Sequence, residues 1–552
     1  MHATTRSRDL TTLRASLVVP VASFVAAFVS ILYMYPHDGY LSRDSSAYIF
    51  IADGMLKGRI PFVQLWENKG LPLYAIDMLG RVMTPARYTG IWVLELLFMW
   101  LAFFIVIWVL RRFASLGATI LATVLFVLGV MITGDQGNVA ELWNLPVQAC
   151  GLVVAWLLIS GTWPAKRWVF VLAGFAAGFS GMMKINLLGT WIAVFGLIVA
   201  LAVSKRVSVR DALLLLGRMA AGFLAAVILS VGPVVAWGAT QQWWDEWLLF
   251  GLNLAGNSSS RPEGTQLAAV WQGISRLTFI AASLVAGALG AGVGWFARSR
   301  PRIDSERVWM GGFLLAWLGI ELWASSINGQ SYPYYNLPWL IPAVSLLGLV
   351  LGDGLDRRTR LVLATAAAAL GIWYCLPGFN ARLDLHRGFP PVVFHEDSNE
   401  WAVQKRMIRE VNKRTSPSDT VLIWGMDTVV FDDTGRLSAS RYGHPLDILL
   451  TRGYQSEARF SGFMNELEAH PPRLIIDSSF IKLQNRLSIQ DLRVAAPLDT
   501  TSGRVEPYMR ALPDFVDAHY RLVAKVAAQF PSSRLDAPKM TPYVKYYEYI
   551  GN

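Results

Sequence analysis

Residues 41–70 read LSRDSSAYIFIADGMLKGRIPFVQLWENKG. They follow an apolar run, about Leu17 to Tyr33, of the length that crosses a bilayer. The stretch is too charged to continue into hydrocarbon, and too rich in aromatic and apolar residues for a plain solvated loop. It reads as a segment pressed against a membrane surface, with Asp44 near its start and Glu67 and Lys69 near its end. Its meaning then depends on what the rest of the chain is, and on which side of the membrane the segment lies.

The composition answers the first question. Of 552 residues, 54% are hydrophobic and only 16% charged, whereas soluble domains carry about 25% charged residues. Apolar runs of about 18–25 residues recur along the chain, the pattern of a polytopic membrane protein. The 22 tryptophans and 18 tyrosines fit, since amphipathic rings collect at the membrane–water interface. The net charge of +10 comes from short basic clusters between apolar segments, which is a topology signal and not a nucleic-acid footprint. Cys150 and Cys375 both fall in spanning segments, so neither a disulfide framework nor a cysteine metal site is expected. The first apolar run lacks an A-x-A end and reads as an anchor, not a cleaved signal.

Helices are expected at about 15–35, 89–110, 115–133, 144–160, 168–183, 187–204, 212–237, 276–297, 308–326, 337–352 and 361–378. Arg6, Arg8 and Arg14 precede the first; Arg111 and Arg112 follow the second; Lys166 and Arg167 the fourth; Lys205, Arg206 and Arg210 the sixth. Arg298, Arg300, Arg302 and Arg307 follow the eighth, and Arg357, Arg358 and Arg360 the tenth. With about eleven helices every cluster falls on one side, and the alternate loops 134–143 and 327–336 hold no Lys or Arg. The positive-inside rule then puts the N-terminus in the cytoplasm and the C-terminus outside. The predicted fold is mostly α: a transmembrane bundle over residues 1–380, including the outer loop 36–88, followed by an extracytoplasmic α/β domain over 381–552. In that tail, 399–414 (NEWAVQKRMIREVNKR) reads as a helix, and VLIWG (421–425) and RLIID (473–477) read as buried strands. The segment of about 239–275, which contains QQWWDEWLLFGLNLAGNSSSRPEG from residue 241, opens as a Trp-rich interfacial helix and continues as a loop.

Polar groups that do chemistry are expected where the membrane meets the outside. Asp44, Glu67 and Lys69 lie in the first outer loop; Asp135, Asn138 and Glu141 in the next; Lys184 and Asn186 at the outer end of the fifth helix. Glu95 and Glu321 lie inside apolar helices and read as structural hydrogen-bonding residues. Bland readings stand beside the functional ones. Asp44 suits a helix N-cap, Lys69 can snorkel to headgroups, and His444 reads as a satisfied surface histidine. No H-E-x-x-H, P-loop or G-x-G-x-x-G signature is present, and metal-ligand spacing is absent.

Four segments in order resemble one family: RDSSAYIFIADGMLKGRIPFVQLWENKG, GNVAELW (137–143), MKIN (183–186) and YPYYNLPWLIP (332–342). Together they resemble the GT-C class of membrane glycosyltransferases, in the family 39-like branch of protein O-mannosyltransferases and aminoarabinose transferases. The resemblance covers about residues 15–380. Arg43-Asp44 and Tyr48 match the family's opening motif, Gly58 and Pro61-Phe62 its second with Phe in place of Tyr, and Trp66, Glu67 and Lys69 its third. Gly70-Leu71-Pro72 displaces the usual prolines, and Pro333 stands where a histidine often precedes the paired tyrosines.

The resemblance implies an enzyme of the outer face of the bacterial inner membrane that moves a sugar, hexose or pentose, from a polyprenyl phosphate to a glycan, lipid or protein acceptor with inversion. It implies Asp44 as general base, Glu141 as a second acid, and Lys69, with Lys184 and Arg43, as cations for the donor phosphate. Glu67, Tyr48, Asn138, Asn186, Tyr334 and Tyr335 are the residues expected to position substrate. Membrane lipids are partners, nucleic acid is not, and no ATP or redox cofactor is implied; a divalent cation is left open. The rival classes are a lipid or polysaccharide transporter, which should place its polar groups at the midplane of related halves, and a non-catalytic envelope-assembly protein. No halves are visible, and the polar residues gather at one face.

Overall fold

The computed structural model describes residues 3–35, 42–84, 88–256, 266–278, 280–285, 305–327, 329, 332–351, 399–445, 455–479, 488–493, 505–527 and 543–551. The expected helix 361–378, the later part of 276–297, Cys375, the basic residues 298–302 and 357–360, and the NSSSRPEG loop lie outside them. The chain divides into two compact units: Met1–Tyr35, Thr89–Gly232 and Gln266–Ala381 form one, and Pro36–Tyr88, Pro233–Thr265 and Arg382–Asn552 the other.

The first unit is a helical bundle. Among the described residues, six helical spans are long and apolar enough to cross a membrane: Thr89–Phe113, Leu116–Thr133, Ala140–Ile159, Ile185–Val203, Val209–Ala236 and Ser305–Ser326. Leu17–Ile31, within the longer helix Ala3–Ile31, and Val169–Met183 are shorter apolar helices. This is a multi-pass membrane unit, as the composition required. Its core includes a large cluster of Leu, Ile, Val, Ala and aromatic side chains, with Phe103, Phe126, Trp317 and Leu340 among them. Its outside is apolar too: Leu213, Leu224, Ile228 and Leu229 stand exposed on one helix, an arrangement that hydrocarbon tolerates and water does not.

With lipid outside, helices gain little from hydrophobicity and much from close packing. A Cβ on Gly174 would stand 1.9 Å from the Met219 carbonyl oxygen, and one on Gly222 would stand 1.9 Å from that of Val171. Helix Val169–Met183 therefore crosses helix Val209–Ala236 backbone to backbone, at positions only glycine can fill.

The second unit holds a five-stranded sheet: β1 (Thr420–Trp424), β2 (Leu437–Ser438), β3 (Leu474–Asp477), β4 (Tyr520–Ala527) and β5 (Tyr543–Tyr549), in the order β2-β1-β3-β5-β4. β1 pairs parallel with β2 and β3; β5 pairs antiparallel with β3 and β4. Val421–Trp424 and all of β3 are buried, which is why both segments read as unbroken apolar runs. Helices Val429–Thr434 and Ser456–Ala469 form part of the crossovers out of β1 and into β3, and helix Asn399–Arg414 precedes β1. The α/β expectation for the tail holds.

The expectation of a loop at 36–88 gives way to two helices, Arg43–Leu56 and Leu71–Met83. Both are shorter than a membrane span and carry charged residues, Asp44 and Asp53 in the first and Asp77 and Arg81 in the second, so a search for membrane-length apolar runs reads the segment as a loop. They belong to the unit that contains the sheet. Ser46 Oγ lies 2.7 Å from Thr428 Oγ1, and Phe50 packs on Phe431 with ring centroids 5.2 Å apart. Arg81 Nε donates to Asp53 at 2.7 Å and its Nη2 to Asp432 at 3.0 Å, while the Tyr88 hydroxyl also donates to Asp432.

Burial raises the Asp432 carboxyl to about 7, helped by Asp53 and opposed by Arg81. The folded protein thus holds a proton that the unfolded chain, at 3.8, releases. Stability from this group is full at low pH and falls as pH rises through 7. Asp432→Asn should therefore gain in thermal midpoint relative to wild type between pH 5 and pH 8, measured in detergent; a pH-independent difference would refute this. Arg81→Ala, which removes the guanidinium shared by Asp53 and Asp432, should lower the thermal midpoint more at pH 8, where Asp432 tends to ionise, than at pH 5.

Candidate functional site

The segment that opens with Asp44 is built from local rules. Ser42 is the N-cap of helix Arg43–Leu56, its side chain accepting from Ser45 N at 3.1 Å. The capping role weighed for Asp44 is thus filled by another residue, and Asp44 sits half-buried in the first helical turn. Tyr48 lies one turn further along the same face. Gly58, at φ 82, turns the chain after the helix. Gly70 is the N-cap of the next helix and Pro72 falls in its first turn, where a missing N–H costs nothing. That placement accounts for the displaced prolines of the motif.

Lys69 is the end of this segment. Its Nζ stands 5.7 Å from the centroid of the Tyr48 ring and 3.4 Å from Glu67 Oε1, and donates to Asn68 Oδ1. Its backbone is held by the Tyr74 hydroxyl, which donates to Lys69 O at 3.1 Å. The ammonium is therefore kept over the residue one helical turn from Asp44. Glu67, 7% exposed, accepts from Asn68 N at 2.8 Å and faces His444 Nε2 at 3.4 Å. Burial opposes its ionisation, but Lys69, His444 and the Asn68 N–H overrule burial and hold the carboxyl down to about 2.

Trp66 anchors the site to its surroundings. Its ring packs against Phe250, Tyr442 and His444, at centroid distances of 5.2, 5.7 and 6.2 Å. Its Nε1 donates to Glu246, which also takes Arg459 Nη2 at 2.5 Å. Its backbone N donates to Arg441 O at 2.8 Å. Sequence reading passed over Glu246, Arg441 and Arg459. The one available signal was an acid among the tryptophans of QQWWDEW, in the helical stretch Thr240–Gly256, which runs as a π-helix over Trp244–Leu249. His444, expected at the surface, is 7% exposed: Trp66 and Glu67 cover it, and they lie far away in sequence.

The remaining candidates lie in the helical unit. Glu141 sits in the first turn of helix Ala140–Ile159, which begins earlier than its apolar pattern suggested. It accepts from Lys184 Nζ at 2.5 Å, and that ammonium lies 4.4 Å from the centroid of the Tyr335 ring. Tyr334 and Tyr335 meet edge to face at 5.0 Å. Asn186 is half-buried, and its Oδ1 is buried with no hydrogen-bond partner. Asn138 is committed to the fold. At φ 50 its N–H donates to Glu95, and its Oδ1 accepts from Trp143 Nε1 at 2.9 Å. The adjoining Gly137, at φ 80, has no room for a Cβ beside the Glu95 carboxylate, 2.9 Å away. Glu321 is buried and accepts from Trp317 Nε1 at 2.9 Å, Gln148 Nε2 at 3.0 Å and Thr190 Oγ1 at 3.2 Å. Both intramembrane acids are structural hydrogen-bond acceptors, as expected. Of Arg43 the structure describes only the backbone, at the first residue of its helix.

No protein-family model and no curated protein matches the chain. Solved structures do. ArnT from Cupriavidus metallidurans in the apo state is 16% identical with a TM-score of 0.53, over 84% of this chain and 93% of that one. The archaeal oligosaccharyltransferase AglB from Archaeoglobus fulgidus, in complex with an inhibitory peptide and a dolichol-phosphate, is 12% identical with a TM-score of 0.44, over 94% of this chain and 80% of that one. The likeness to ArnT is one of fold: the chain has the GT-C fold that its sequence motifs imply.

Glu67, with a folded pKa below its unfolded value, contributes stability that is full above 4.5 and is lost as pH falls toward about 2. Glu67→Gln should therefore destabilise the protein by about 3 kcal/mol at pH 7. The gap to wild type should close as the pH is lowered below 4.5, read as thermal midpoints in detergent.

Proposed function

We propose that this protein is an inverting glycosyltransferase of the outer membrane face that transfers a sugar from a polyprenyl-phosphate donor to an acceptor hydroxyl of the cell envelope. The observation that carries the proposal is the position of the Lys69 ammonium over Tyr48, one helical turn from Asp44. A carboxylate and a cation that can pair with a phosphate thus share one short segment. The GT-C fold supports it.

In this reaction the acceptor oxygen attacks the anomeric carbon, and its proton passes to the Asp44 carboxylate. The bond from that carbon to the lipid phosphate breaks, its electron pair leaving on the phosphate oxygen. The growing negative charge needs a fixed cation, and Lys69 supplies it. Glu67 orients Lys69 through the contact of its Oε1 with the ammonium. In the helical unit, Lys184, held by Glu141, is a second candidate cation for the donor phosphate. With the N-terminus in the cytoplasm of a bacterium, the segment 42–84 and the sheet domain face outward, where lipid-linked donors rather than nucleotide sugars are met. The acceptor is a glycan, lipid or protein.

The test is transfer of labelled sugar from polyprenyl-phosphate sugars by the purified full-length protein. Asp44→Asn should lower turnover by about a hundredfold or more while donor binding persists. Lys69→Ala should raise the donor Kd. Full turnover in Asp44→Asn would overturn the assignment of the base, and unchanged donor affinity in Lys69→Ala that of the cation.

A further inference from the structure

Glu67 is a buried carboxylate compensated by two cationic or proton-donating groups of different origin: Lys69 on its own segment, and His444 from the sheet domain. Burying a carboxylate without compensation is strongly unfavourable. When a donor phosphate engages Lys69, the ammonium is drawn from Glu67 toward the more highly charged group. The carboxylate then depends on what remains: the Asn68 N–H and His444 Nε2.

The setting of His444 suits this task. Its side chain is 9% exposed, its ring is fixed edge-on against Trp66, and its Nδ1 is buried without a hydrogen-bond partner. Glu67 therefore takes the one ring nitrogen that has a polar contact. Tyr442, two residues before it, packs on the same Trp66 ring. The imidazole is thus held by the sheet domain at a fixed point beside Glu67, more than 370 residues further along the chain.

We infer that His444 is a positioning residue for donor binding: it keeps Glu67 charged and in place when Lys69 turns to the phosphate, so the sheet domain contributes to the affinity of a site formed by the segment 42–84. The inference rests on Lys69 being the phosphate ligand. It requires that His444 and Lys69 act as a unit.

A double-mutant cycle on the full-length protein in detergent, with undecaprenyl phosphate as the probe, tests it. His444→Ala and His444→Phe, the second of which keeps a ring against Trp66, should each weaken binding about tenfold, within the range for coupled neighbours. His444→Gln, which restores an N–H donor, should recover most of the loss. In the Lys69→Ala background the same changes at His444 should have no further effect. Wild-type affinity in the Phe variant, or an equal loss with and without Lys69, would overturn the inference while leaving Lys69 as the phosphate ligand. If the wild-type protein and Lys69→Ala bind the probe equally, the reading of Lys69 falls, and that of His444 with it.

Discussion

The buried contact of Glu246 with Arg459 and Trp66 is the constraint on which the sheet-containing unit depends. It joins three stretches that are remote in sequence: the segment after the first helix, the Trp-rich helical stretch, and the tail. Glu246 is 4% exposed and Arg459 5% exposed, so neither charge is sheltered by water. Each is tolerable only because the other is there, and the Trp66 N–H adds a third contact. Around this group lies one continuous core, with Trp66, Phe250, Trp424, Tyr442, Phe460 and Phe463 as members. A segment that looks in sequence like a polar interlude between membrane helices is thereby packed into the core of the sheet-containing unit.

That packing holds the candidate site in place. A lysine on a free loop would spend little time at any one point. Lys69 is held by an aromatic face, an amide oxygen and a carboxylate, between two helices whose ends are fixed by Ser42 and Gly70. The carboxylate is in turn buried and kept ionised by its neighbours. The helical unit uses polar groups differently. Glu95 and Glu321 satisfy backbone and side-chain donors inside an apolar bundle, and the Gly174–Gly222 crossing lets two helices touch where lipid offers them no hydrophobic reward for associating.

Much of the fold was legible because its signals are local. Apolar runs mark the bundle helices whatever their partners, since every lipid-facing helix needs the same composition. VLIWG and RLIID are strands because a strand buried on both faces has no polar side to show. The helices at 43–56 and 71–83 were not legible as apolar runs, because they are short and carry Asp44 and Asp53 in the first and Asp77 and Arg81 in the second. The start of helix Ala140–Ile159 was placed late because its first turn carries Glu141, a charged residue buried by a partner beyond the helix.

The same division runs through the site. Sequence alone determined the residue types and their order: Asp44, Tyr48, Glu67 and Lys69 in one segment, Glu141 and Lys184 near the ends of apolar runs, and a series of apolar helices to hold them in a membrane. Those properties follow from composition and spacing, which the chain carries without folding. Tertiary structure alone decided that Lys69 lies over Tyr48, that Lys184 is taken by Glu141, and that a histidine from the tail completes the surroundings of Glu67. These are pairings between residues remote along the chain. A single sequence records nothing of them, because the burial that makes each charge need its partner exists only once the core has closed.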